Sequence, residues 1–69
     1  MRYLKQEKIS GEIGMYYVEI AGGSSETKPE AGIATGSIFT EVNTGKVFFF
    51  NEAGSAGSKW VEQFSFIQE

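Results

Sequence analysis

Apolar and polar residues alternate along much of this chain with a period of two, the pattern of strands with one covered face. From Met15 to Ile20, Tyr16, Val18 and Ile20 fall on one side and Tyr17 and Glu19 on the other. From Ile33 to Val42, Ile38, Thr40 and Val42 stand against Phe39 and Glu41. Lys46 to Phe50 forms a third run. Lys59 to Ile67 forms a fourth, with Trp60, Glu62, Phe64 and Phe66 opposite Val61, Gln63, Ser65 and Ile67. Arg2 to Ile9 is a more weakly patterned strand. No window carries an apolar stripe at helical spacing, so little or no helix is expected.

The breaks between these runs are rich in turn formers. Ser10-Gly11 turns the chain between the first two strands and predicts an N-terminal hairpin over 2–20. Residues 21–32, AGGSSETKPEAG, are poor in apolar side chains and hold the only proline, Pro29. They read as a flexible loop, with Lys28 biased to an extended backbone by Pro29. The segment NEAGSAGS, 51–58, is a further turn or loop. Sequential strands with short turns pair as neighbours. The expected fold is all-β: a single domain of four to six antiparallel strands, a small meander closed into a compact barrel or sandwich. The C-terminal part, 33–67, supplies three strands of it.

The stretch EVNTGKVFFF, 41–50, invites a nucleotide-binding interpretation that its spacing excludes. A phosphate loop needs glycine, four residues, then Gly-Lys-Ser/Thr before a helix. Here Thr40 stands five residues before Gly45, Val47 follows Lys46, and a strand comes next. The turn alternative has a mechanism. Asn43 and Thr44 suit a turn centre, and Gly45 accepts the positive φ that lets a type I turn match strand twist. That hairpin predicts Val42 opposite Lys46 and Ile38 near Phe50.

Composition removes most chemistry. The chain has 69 residues, no Cys, no His and nine acidic residues, all Glu. Disulfides and thiolate or imidazole metal sites are therefore not expected, nor is a cofactor. A chain this short usually needs a staple, and oligomerisation is the one left. The net charge of −3 and the scattered cations disfavour nucleic acid. No apolar stretch suits a membrane span, and MRYLKQEK lacks the apolar core of a signal peptide, so synthesis in the cytoplasm fits. Neither Asn43 nor Asn51 begins a glycosylation sequon. With no histidine, no cleft between paired carboxylates and no base beside the loop serines, the chain is not expected to be an enzyme or to have a small-molecule substrate.

The aromatic residues carry the remaining signal. Successive strand residues point to opposite faces, so Phe48 and Phe50 face one way and Val47 and Phe49 the other. A strand apolar on both faces must be covered on both. Either a small closed barrel leaves some aromatics exposed, or the second face meets another copy or a host surface. The candidate interface residues are Phe48, Phe49, Phe50, Trp60, Phe64 and Phe66, with Tyr16 and Tyr17 second. Asn43, Thr44 and Gly45 are the structural turn.

Residues 36–64, GSIFTEVNTGKVFFFNEAGSAGSKWVEQF, resemble a pattern in small structural proteins of tailed bacteriophages and prophages. There an acidic residue and a Thr-Gly-Lys turn lead into an aromatic strand and then a Trp-bearing one. Asn43 stands where Asp is usual, and the 54–57 loop is slightly long. The resemblance implies a virion component without an active site, assembled in many copies on a capsid or tail as a decoration or head- or fibre-associated protein. A monomeric adaptor or inhibitor module and a small single-stranded nucleic-acid-binding barrel are the alternatives.

Overall fold

A computed structural model describes residues 1–65. Five strands form one sheet: β1 (Arg2–Lys8), β2 (Tyr16–Gly22), β3 (Ile38–Glu41), β4 (Lys46–Phe50) and β5 (Trp60–Ser65). Their spatial order is their chain order. The fold is all-β, with no helix among the described residues. The sheet is open rather than closed into a barrel, so β1 and β5 are its edges.

Strands β1 and β2 pair antiparallel, as do β3 with β4 and β4 with β5. The expectation of a wholly antiparallel meander fails at one place, because β2 and β3 run parallel. Parallel neighbours cannot be joined by a tight turn, so the chain must return to the start of β2 before β3 begins. Residues 23–37 make that return. Near its end Ile33 pairs with Tyr16 in the same parallel sense. The regular ladder then resumes at Glu19 opposite Ile38, with two more residues on the β3 side than on the β2 side. The jog at 34–37 absorbs them, and this is why the expected strand from Ile33 to Val42 starts only at Ile38. Ser37 lies inside the jog, wholly buried, and its Oγ accepts the Val18 N–H at 3.0 Å. A side chain thus satisfies a backbone donor that the interrupted ladder leaves without a carbonyl.

One face of the sheet carries the core: Val18 and Ile20 from β2, Phe39 from β3 and Phe50 from β4, joined by Ile33. Trp60 meets the rings of Phe50 and Phe39 edge-on, at centroid distances of 4.9 and 5.8 Å. Gly22 is required at the end of β2, because a Cβ there would lie 2.8 Å from the Phe39 ring.

The β3–β4 turn takes four residues, Val42 to Gly45. The Gly45 N–H donates to the Glu41 carbonyl at 2.8 Å, and Gly45 has φ +78°. The role of Gly45 is as expected, but the register differs by one residue: Phe48 lies opposite Phe39, and Phe49 opposite Ile38. The longer turn takes Val42 out of the ladder and leaves it exposed. The expected alternation over 59–67 also breaks. Glu62 pairs with Phe48 and Phe64 with Val47, so Gln63 is an extra residue on β5.

Candidate functional site

The ladder registers align one row across the second face: Lys5, Glu19, Ile38, Phe49 and Val61, one from each strand. The row changes character along its length. On β1 and β2 it is polar and internally paired. Lys5 lies 3.7 Å from Glu7 and 5.9 Å from the centre of the Tyr17 ring, and the Tyr17 hydroxyl donates to Glu19 at 2.8 Å. That bond raises the Tyr17 pKa, helped by slight burial and the charges of Glu19 and Glu7. On β3 to β5 the row is apolar. Phe49 is 40% exposed and Val61 43%, with Ile38 half-buried beside them.

The sequence candidates divide between the two faces. Phe50 is 2% exposed and belongs to the core, out of reach of any partner. Tyr16, Phe48 and Trp60 are half-buried on the same face. The segment 23–37 crosses this face and is hydrogen-bonded at several points, three of them within 21–32, the stretch expected as a flexible loop. The Ser24 N–H donates to Asn43, the Trp60 indole N–H donates to the Pro29 carbonyl at 2.7 Å, and the Gly57 N–H donates to Glu30. Phe49 lies on the second face, exposed, with Tyr17 beside its polar flank. The Phe64 side chain and Phe66 lie outside the described residues. Ile38 and Val61 join Phe49 without having been singled out, although their alternation with Phe39 and Trp60 already set them on this side.

Beneath the crossover lies a charged clasp that local patterning did not reveal. The Lys28 ammonium is 2.6 Å from the Glu41 carboxylate, and the Thr44 hydroxyl donates to the other carboxylate oxygen at 2.7 Å. Glu41 is only 5% exposed. Its pKa is lowered, first by the bond from Lys28 and then, against the opposing effect of burial, by Thr44 and nearby positive charge. Lys28 also sits over the Phe48 and Phe39 rings, 4.4 and 4.8 Å from their centres. Lys28, Phe48 and Trp60 help to line an open groove of about 620 Å³ between the crossover and β4–β5. Lys28 is engaged in holding the crossover to the sheet. Among the described residues no group of three potential metal-ligating side chains occurs.

Comparison with protein-family models, with curated proteins and with solved structures returned no match for this chain.

Proposed function

We propose that this chain is a non-enzymatic structural protein that works in multiple copies, and that it belongs to the virion of a tailed bacteriophage or prophage, docked on the capsid or tail. The observation that carries self-association is the apolar patch on the second sheet face, where Phe49 and Val61 are exposed beside half-buried Ile38. Apolar side chains grouped on an open face favour burial against a partner. A second copy stacked on this face completes a two-sheet sandwich, with sheets about 10 Å apart and Phe49 near its centre. Lys5, Glu7 and Glu19 then form a polar rim, which suits the usual anatomy of an interface. The placement in a virion rests on the resemblance of residues 36–64 alone.

Sedimentation velocity across a concentration series tests self-association. The wild type is expected to shift to larger species as concentration rises to tens of micromolar. Phe49→Glu is expected to stay folded and to lose the face-to-face contact. A wild type that remains strictly monomeric throughout would overturn the proposal.

A further inference from the structure

Strand β1 stands apart from the rest of the sheet. All seven of its residues are exposed, and among the described residues it pairs with β2 alone. It sends no side chain into the core, so its backbone bonds to β2 are its main attachment. The direction of its free backbone groups follows from three hydrogen bonds. The Ile9 N–H donates to Met15, inward across the hairpin. On β2, the N–H groups of Tyr16 and Val18 point the opposite way, to Gly32 and Ser37. Antiparallel pairs alternate between bonded and non-bonded, so Lys5 and Glu7 bond to β2 while Gln6 and Lys8 turn their N–H and C=O groups to the open edge.

Charge and strand direction indicate what pairs with that edge. Strand β1 holds three of the six cations and one of the nine acids, a local charge of +2 in a chain of net −3, which leaves −5 on the rest. Two β1 strands brought together would set cations against cations. The opposite edge, β5, carries Glu62, with Lys59 just before it, so it sets one acid and one cation against β1 rather than a second row of three cations. Following the pairings across the sheet, β5 runs opposite to β1. A copy placed side by side with the next therefore brings β5 against β1 in the antiparallel sense.

We infer that copies of this chain join edge to edge, β1 of one pairing with β5 of the next to continue the sheet. This inference rests on the self-association proposed above and adds a second contact to it. A face-to-face contact is isologous and stops at two copies, whereas a β1–β5 contact is head-to-tail and propagates. It also keeps the apolar patches of successive copies on one side of the extended sheet.

Gln6→Pro tests the inference, because it removes an outward N–H and leaves the β1–β2 bonds in place. In sedimentation velocity at low ionic strength, the wild type is expected to form species larger than a dimer. Gln6→Pro is expected to stop at the dimer, with unchanged circular dichroism and Trp60 fluorescence. If the proline unfolds the chain, Arg2→Glu/Lys8→Glu replaces it, reverses the charge of β1 and is expected to give the same dimer limit. A wild type that stops at the dimer, or a folded edge variant that grows as the wild type does, overturns edge pairing and leaves face-to-face association standing. A wild type that is strictly monomeric overturns both.

Discussion

Replacing Lys28 with methionine isolates the clasp that holds the crossover on the sheet. The substitution keeps an unbranched side chain of similar length and removes the ammonium. Glu41 then stays buried, with the Thr44 hydroxyl as its remaining side-chain hydrogen-bond donor. Breaking a buried ion pair from one side costs about 3–5 kcal/mol, because the other charge is left uncompensated. The cover here is a single segment thick and the Lys28 side chain is 17% exposed, which admits some solvent screening. The expected loss is therefore about 2–3 kcal/mol. A domain this small holds on the order of 3–10 kcal/mol in all, so that loss is a large fraction of it. Glu41→Gln is expected to lose less, on the order of 1 kcal/mol, since Lys28 can turn its ammonium to water.

The loss also depends on pH. The folded-state pKa of Glu41 is lowered, chiefly by Lys28. Its contribution is thus fully present above the unfolded carboxylate pKa and is lost as pH falls through the folded value. Lys28→Met removes the leading cause of the lowering while burial remains. The stability gap between wild type and variant should narrow as pH is taken from 7 to about 3.5. Urea denaturation followed by the fluorescence of Trp60, the single tryptophan, measures the gap. A loss below about 0.5 kcal/mol at pH 7, or a gap that does not change with pH, would mean that the Lys28–Glu41 pair does not hold the crossover.

Four further substitutions probe the fold and its faces. Gly45→Val forces a β-branched residue to φ +78° and should cost about 1–3 kcal/mol in the same urea assay; unchanged stability would contradict the turn geometry. Ser37→Ala leaves the Val18 N–H buried without its acceptor and should cost about 1–3 kcal/mol, checked by the shift in urea midpoint. Phe50→Glu and Phe49→Glu, neighbours in sequence, should part company. The first puts a charge into the core and should abolish the cooperative unfolding transition. The second should keep that transition and change only the sedimentation profile.

The parts of this fold legible in the sequence are those encoded by local alternation. Tyr16, Val18 and Ile20 share a face as their spacing requires, and the three successive Phe divide between faces as strand geometry demands. The parallel pairing of β2 and β3 was not legible, because alternation says which side a residue faces and not which strand lies beside it. The crossover looked like a linker for a related reason. Its attachments include an ammonium, a proline carbonyl and a carboxylate, none of which marks a polar stretch as docked. The β3–β4 register was missed because Gly45 can end a three- or a four-residue turn equally well. At the candidate site, aromatic character alone does not separate exposed Phe49 from buried Phe50, and it says nothing of the aliphatic Ile38 and Val61 beside Phe49.

Sedimentation velocity of the wild type beside Phe49→Glu decides whether the second sheet face brings copies of the chain together. The wild type is expected to sediment faster as concentration rises, and folded Phe49→Glu to lag behind it. A wild type that stays monomeric at every concentration, or that cannot be told from folded Phe49→Glu, rules out association through this face.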